Sequence, residues 1–175
     1  MKKIILKVFK RLLAATLWFF NKTLYLKIRF YRSSGYWPII KEPKTINENI
    51  FKLKINSPES YDIYADKLLV RSFIENRIIE HNLSKLRLPT ILLESENVEH
   101  FLRNFRGEES FIKANHGSGM CFYFDGKTQK SLTTKQINLM KKWLRTDYYK
   151  FSGETCYKNI KRKVFAEQSL KCKDG

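Results

Sequence analysis

The chain has 175 residues, of which 43% are hydrophobic and 14% are aromatic. This composition supports a folded core in one domain or slightly more, and it excludes a disordered chain. Lys and Arg number 34 against 17 Asp and Glu, giving a formal net charge of +17. So large a positive charge indicates an anionic partner. The alternatives are a nucleotide phosphate, an anionic lipid, a nucleic acid and an acidic polymer.

The cysteines and histidines form no recognisable disulfide or metal-binding pattern. The sequence has three cysteines, an odd number, and they are widely spaced at Cys121, Cys156 and Cys172. It has no CxxC pair. The three histidines are far apart and form no HExxH motif. Neither a disulfide framework nor a zinc site is expected, and a cytoplasmic location is predicted.

The first segment, residues 1–32, is predicted to be a basic amphipathic helix. Ten Lys and Arg precede Glu42, the first acidic residue of the chain. The uncharged run between Arg11 and Lys22 is shorter than the roughly 20 apolar residues that a spanning helix needs. Over residues 4–30 we expect one helix on an anionic inner leaflet, at the inner face of the cytoplasmic membrane, with Trp18, Phe19 and Phe20 at the interface. The alternative is a helix packed on the rest of the protein. The apolar residues at helical spacing are Ile5, Val8, Phe9, Leu12, Leu13, Leu17, Phe20 and Leu24.

Residues 33–107 are predicted to be a helical region with one short strand. Thr45 and Glu48 have the spacing of a capping box, so a helix is expected from there to about residue 53. A second helix is predicted over 66–80, a buried strand over 88–93, and a third helix over 96–105 that ends at Gly107. The apolar side of the second helix consists of Leu68, Leu69, Phe73, Ile74, Ile78 and Ile79.

Residues 111–124 are predicted to form a β-hairpin around a small glycine loop. A β-rich run carrying Lys113 leads into Gly117-Ser118-Gly119, and a second β-rich run follows directly. Backbone N–H groups of such a loop suit anionic oxygens, and a nearby lysine adds a full positive charge. The pattern fits a phosphate-binding loop and, equally well, an ordinary surface hairpin with an incidental lysine, so these residues alone leave both alternatives open.

The remaining segments are predicted to be a helix, a basic loop and a strand. The helix is expected over about 135–144, with Ile137, Met140 and Leu144 on one face. Residues 146–163 are rich in Tyr, Phe and Lys and are predicted to form an ordered loop. A strand is predicted over 164–167.

Five pieces of sequence in a fixed order resemble the TupA-like branch of the ATP-grasp superfamily. The resemblance covers about residues 45–171, and its nine-residue central piece is specific. That branch is linked to teichuronopeptide, capsule, lipopolysaccharide and other surface-polysaccharide biosynthesis. The pieces are Asp66-Lys67-x-x-Val70-Arg71, Phe111-Ile112-Lys113-Ala114-Asn115-His116-Gly117-Ser118-Gly119, Lys142-Trp143-Leu144, Gly153-Glu154-x-x-Tyr157-Lys158-Asn159-Ile160-Lys161 and Ala166-Glu167-Gln168-x-Leu170.

The resemblance implies an α/β (α+β) fold, a partial ATP-grasp domain with ATP and Mg²⁺ as cofactors. Lys113 looks like the strand lysine that contacts the α- and β-phosphates. The loop formed by His116, Gly117, Ser118 and Gly119 looks like the one that closes over the phosphates. Glu167 and the backbone to Leu170 look like the hinge that holds adenine and ribose. Lys67 and Arg71 match a family motif without an assigned role.

The family reaction implied is ATP-dependent carboxylate–amine ligation, in which a carboxylate is activated as an acyl phosphate and then attacked by an amine. Residues 108–175 are expected to be the first half of the ATP-grasp domain, ending at the hinge. The magnesium ligands of the family follow the hinge, so they are expected outside this chain. A truncated gene product, a fragment and a chain that works with a second polypeptide remain open alternatives.

Two other functions are considered beside the ATP-grasp reading. Members of the branch are often labelled glycosyltransferases, but that activity predicts a DxD-type metal motif and the sequence has none. A non-enzymatic nucleic-acid-binding protein would explain the positive charge and the aromatic and basic residues of 148–163. No RNP-like or KH-like motif supports that third reading.

Overall fold

The computed structural model describes residues 15–170 of the chain. Its contacts divide the chain into two units, Met1–Pro58 with Lys150–Thr155, and Glu59–Tyr149 with Cys156–Gly175. The divisions predicted after residues 32 and 107 stay predictions. Among residues 15–170, no helix has both the length and the apolar character needed to span a membrane.

The first unit is built from helices that enclose a small aromatic core. Residues 15–20 are helical, and α1 (Lys22–Ser34) follows. The single helix predicted over 4–30 is wrong in its continuity, because Asn21 leaves helical geometry and its side chain accepts the N–H of Leu24 as a new N-cap. Residues 4–14 of that prediction lie outside the described part of the chain.

Helix α2 (Ile46–Asn56) begins with the predicted capping box. Thr45 Oγ1 accepts the N–H of Glu48, and the Glu48 carboxylate accepts the N–H of Thr45 in return. The same carboxylate also accepts the backbone N–H groups of Ile39 and Lys44, so it fixes the chain that leads into the helix. The core of this unit consists of Leu26, Phe30 and Phe51, with Trp18, Tyr25, Ile40 and Ile55 packed against it.

The second unit has a four-stranded antiparallel sheet with helices beside it. The strands are β1 (Ile91–Ser95), β2 (Ser110–Ala114), β3 (Cys121–Phe124) and β4 (Val164–Gln168), and their spatial order is β1-β4-β2-β3. The helices are α3 (Asp62–Ala65), α4 (Leu69–Glu80), α5 (Val98–Asn104), α6 (Thr134–Arg145) and α7 (Tyr148–Ser152), the last of which runs across the division between units. The predicted α+β class with an antiparallel hairpin is confirmed.

The core lies on one face of this sheet, against α5 and α6. Strand alternation directs Ile112 and Ala114 of β2 and Val164 and Ala166 of β4 to that face. The other buried members of the cluster are Val98, Phe101, Met120, Phe124, Leu132, Met140 and Trp143. The predicted hairpin, the helix near 135–144 and the final strand are therefore confirmed.

Three local predictions need correction. The helix predicted from residue 66 begins at Leu69, because Asp66 is extended and its carboxylate accepts the N–H of Leu68. No residue of α4 is buried. The strand predicted as buried over 88–93 runs over Ile91–Ser95, and Leu92 is exposed. The loop predicted over 146–163 contains α7 and a 3₁₀ turn, Thr155–Tyr157.

Candidate functional site

Strands β2 and β4 bring Lys113 and Glu167 together on the sheet face opposite the core. The register pairs Phe111 with Glu167 and Lys113 with Phe165, so Lys113 and Glu167 are diagonal neighbours on the same face. Lys113 Nζ lies 2.5 Å from Glu167 Oε1. Their side chains are 25% and 13% exposed. Two residues 54 positions apart in the sequence therefore form a partly buried ion pair.

Arg71 from α4 is the second cation on the same carboxylate. Its Nη1 lies 3.1 Å from Glu167 Oε2, and its Nη2 donates to the carbonyl oxygen of Pro89. Each oxygen of Glu167 thus has its own cationic donor, and the pairing is charge-assisted on both sides. The Arg71 guanidinium also links α4 to the segment that leads into β1.

The Lys67 ammonium donates hydrogen bonds to backbone carbonyl oxygens of the loop between β2 and β3. Its Nζ donates to the carbonyl oxygens of Ala114 at 3.1 Å, of Asn115 at 3.5 Å and of Gly117. An ammonium group has three N–H donors, so all of them have acceptors in this loop. Burial lowers the pKa of Lys67 from its usual 10.5, the Asp66 carboxylate opposes that shift, and the charge of Lys113 adds to it.

The contacts of Lys67 also set the direction of the loop's N–H groups. In a trans peptide the C=O and the following N–H point in opposite directions. Because the carbonyl of Gly117 is directed at Lys67, the N–H of Ser118 is directed away from it. Ser118 and Gly119 are exposed, and Gly119 has a φ of 71°, which suits glycine. This tip is the part of the loop that is open to a ligand.

Gly117 is buried and admits no larger residue without movement. A Cβ at this position would lie 2.7 Å from Tyr148 Cδ2 and 2.9 Å from Met120 Sδ. The first glycine of the loop is therefore required by packing, and the second by its backbone conformation.

Asn115 is the residue that fixes the base of the loop, and the sequence interpretation gave it no role. Its side chain is buried, and Nδ2 donates to Asp66 Oδ2 at 2.8 Å and to the Lys161 carbonyl at 2.9 Å. Its Oδ1 accepts the N–H of Lys163 at 2.7 Å. One amide thus joins the loop to Asp66 and to the segment before β4. Its place directly after the strand and inside the specific motif was the available signal.

His116 lies inside the protein rather than at the tip of the loop. Its side chain is 1% exposed, and Nε2 donates to the Trp143 carbonyl oxygen at 3.0 Å. Burial lowers the pKa of His116 from its usual 6.5, with Arg162 and Lys67 adding to the shift and the Trp143 carbonyl opposing it. The hydrogen bond from Nε2 ties the loop to α6.

Three further side chains of the hairpin lie on the sheet face of Lys113, and the sequence interpretation did not select them. Cys121 pairs with Lys113 across β2 and β3, and Tyr123 pairs with Phe111. The rings of Phe111 and Tyr123 are 5.3 Å apart and both are exposed. Burial raises the pKa of the Cys121 thiol, and the Lys113 charge opposes this shift. Period-2 alternation along the hairpin was the signal for them.

The predicted site residues thus separate into two groups. Lys67, Arg71, Lys113 and Glu167 form one cluster, and Lys67 connects it to the loop that carries Gly117, Ser118 and Gly119. The His116 side chain is directed away into the core, and Leu170, beyond the end of β4, is largely exposed.

The cluster has the charge and donors for a phosphate group but lacks the ligands for a metal ion. Two cations, Arg71 and Lys113, pair with one carboxylate, Glu167, and the Asp66 carboxylate is bonded to Asn115 and Leu68. Within residues 15–170, no group of three or more His, Cys, Asp or Glu is placed to hold a metal ion. The described residues therefore fit an anionic ligand and offer no such cluster of protein ligands for magnesium.

Comparison with known families gives one match. A family model of TupA-like ATPgrasp proteins matches residues 47–175, well over half of the chain. The resemblance stated from the sequence is confirmed, and the antiparallel sheet with flanking helices is consistent with a partial ATP-grasp fold. Comparisons with curated proteins and with solved structures returned no match.

Proposed function

Because the chain belongs to the TupA-like ATP-grasp family, we propose that it binds ATP at the Lys113–Glu167 cluster. One observation carries this proposal: β2 and β4 place the predicted phosphate lysine and the predicted hinge glutamate side by side. The family uses ATP and magnesium in general. The assignment of these residues in this chain is ours.

The phosphates would bind to Lys113 and to the tip of the loop. The Lys113 ammonium supplies a full charge, and the N–H groups of Ser118 and Gly119 belong to exposed residues. Phosphate oxygens would replace Glu167 as the partner of Lys113, while Arg71 continues to hold the glutamate. Lys67 keeps the loop in shape, because its donors are already used by loop carbonyls.

The nucleoside would lie along β4 toward Glu167 and the backbone to Leu170. Freed from Lys113, one oxygen of Glu167 becomes available to accept a ribose hydroxyl. The exposed rings of Phe111 and Tyr123 lie on the same sheet face and offer an aromatic surface near the base.

The reaction proposed for this site is ATP-dependent carboxylate–amine ligation in surface-polysaccharide biosynthesis, as the family membership suggests. When bound, ATP supplies the phosphoryl group that activates the carboxylate. Lys113 neutralises charge on the phosphates, and the pre-shaped loop positions them. No step through magnesium is assigned, because the described residues do not provide a metal site.

The proposal is tested by titrating the protein with a non-hydrolysable ATP analogue in a calorimeter, with magnesium present. Lys113→Met should weaken binding about 10- to 100-fold, because a charge-assisted contact to phosphate is lost. Lys130→Met is the matched control, since Lys130 is an exposed lysine near the same hairpin. It should leave the affinity unchanged.

Thermal unfolding of both variants must match that of the native chain for the comparison to hold. Equal affinity in Lys113→Met and the native chain would contradict the site. Turnover of a sugar nucleotide without ATP would instead favour the glycosyltransferase alternative.

A further inference from the structure

The outer face of α1 carries an apolar stripe that the described residues of the first unit, from residue 15 onward, leave exposed at Leu24 and Tyr31. We use this name for Leu24, Ile28 and Tyr31. Leu24, Ile28 and Tyr31 are spaced i, i+4 and i+7, so they lie on one side of the helix. Leu24 and Tyr31 are exposed, whereas the buried residues of α1 point the other way, into the core of this unit.

Exposed aromatic rings lie near both ends of the helix. Tyr31 stacks on Trp37 at 5.2 Å between ring centroids, and Trp37 is 52% exposed. Phe19 and Phe20, just before the helix, are 83% and 79% exposed. Exposing apolar area of this size to water is unfavourable in free energy, so we expect these rings to be buried against a binding partner.

Cations lie on both sides of the apolar stripe. On a helical projection Lys27 falls on one side of the Leu24–Tyr31 line, and Arg32 falls on the other. Within residues 15–170, neither of them forms an ion pair. Residues 15–41 contain five Lys and Arg and no Asp or Glu. The segment is therefore uniformly positive around an apolar centre.

We propose that the outer face of α1, with Phe19, Phe20 and Trp37, binds the surface of a bilayer that contains anionic phospholipid. An apolar stripe flanked by cations is the pattern of an interfacial helix, whose rings enter the headgroup region while Lys and Arg contact lipid phosphates. Each cation near an anionic leaflet adds to the binding, and the absence of acidic residues removes repulsion.

This surface acts independently of the proposed ATP site, because every residue in it belongs to the first unit. It would hold the chain at a membrane without spanning it. An enzyme held in this way would meet substrates that are themselves attached to lipid.

The test is co-sedimentation of the full chain with vesicles of phosphatidylcholine alone, or of phosphatidylcholine mixed with phosphatidylglycerol. Binding is expected only to the mixed vesicles and should weaken as salt is raised. Lys27→Glu with Arg32→Glu should lower the partition coefficient at least about tenfold. The control is Lys85→Glu with Arg87→Glu, which makes the same change in net charge at exposed positions of the second unit.

A second pair of variants tests the rings. Phe19→Ser with Phe20→Ser should reduce binding at physiological salt about tenfold, because insertion of apolar surface is lost. The control, Ile79→Ser with Leu86→Ser, removes two exposed apolar side chains from the second unit and should bind like the native chain.

Three outcomes would overturn the proposal. Equal binding to both kinds of vesicle would remove the role of anionic lipid. Equal losses in the two charge-reversed variants would show that net charge, and not this face, drives binding. Release from vesicles by single-stranded RNA, with RNA binding abolished by the Lys27 and Arg32 changes, would assign the face to nucleic acid.

Discussion

At the scale of single residues, the proposed ATP site separates the groups that would meet a ligand from the groups that shape the loop. Lys113 has one carboxylate partner and is partly exposed, so phosphate can reach it. Lys67 is also partly buried, but its ammonium already has three carbonyl acceptors. Both lysines lie within the residues that match the family, and in our proposal only their surroundings distinguish a ligand contact from a structural one.

His116 should make the stability of the protein depend on pH. Its pKa in the folded state lies below the usual 6.5, so below that pH the unfolded chain takes up a proton more readily than the folded one. The free energy of unfolding should therefore be highest above about pH 6.5. It should fall as the pH drops from there toward the pKa of His116 in the folded state.

Urea unfolding at pH 7.5 and at pH 5.5 measures this effect. His116→Gln should lose less stability between the two pH values than the native chain, since glutamine does not titrate. His81→Gln changes an exposed histidine and should behave like the native chain. If all three proteins lose the same amount, protonation of His116 is not the cause.

At the scale of elements, the hairpin and the last strand could be predicted because their patterns are local. A β-rich run, a glycine loop and a second β-rich run specify β2 and β3 without knowledge of the rest of the chain. The pairing of β2 with β4 could not be predicted, because it joins segments about fifty residues apart and depends on the whole sheet. The Lys113–Glu167 contact, which follows from that pairing, was equally hidden.

The helices, too, could be predicted from the sequence only where their signals are local. Thr45 and Glu48 signalled α2 through a capping box, whose two bonds lie within one turn. Helix α4 was predicted to begin three residues before its actual start. Asp66 stays extended instead, and its carboxylate accepts the backbone N–H of Leu68. Asn21 interrupts the first helix for a comparable reason, since its side chain caps the next one.

Thr133 should be a measurable contributor to stability through α6. Its Oγ1 accepts the N–H of Gln136, whose side chain in turn accepts the N–H of Thr133. The helix carries Met140 and Trp143 into the core. Thr133→Ala should lower the free energy of unfolding by about 1 kcal/mol.

The next residue provides the control for this prediction. Thr134 is exposed at the first helical position, and Thr134→Ala should change stability by less than about 0.5 kcal/mol. Chemical denaturation of both variants gives the comparison. Equal effects would show that the capping bonds do not contribute.

At the scale of the whole molecule, the net charge of +17 is divided between two anionic partners in our account. The first unit presents its positive charge with exposed rings, which suits a lipid surface. The second unit presents cations around one carboxylate and a glycine loop, which suits a phosphate. Composition alone indicated an anionic partner, but the arrangement of the charges was needed to separate the two surfaces.

The central claim is that ATP phosphates contact Lys113, and lysine footprinting tests it most directly. The chain is treated with an amine-acylating reagent with and without ATP and magnesium, and each lysine is quantified by mass spectrometry. We predict that ATP strongly reduces the acylation of Lys113 and leaves the acylation of Lys130 unchanged. Lys67 should be unreactive with or without ATP, because its donors are bound to the loop. Undiminished labelling of Lys113 at an ATP concentration that saturates the protein would contradict the claim.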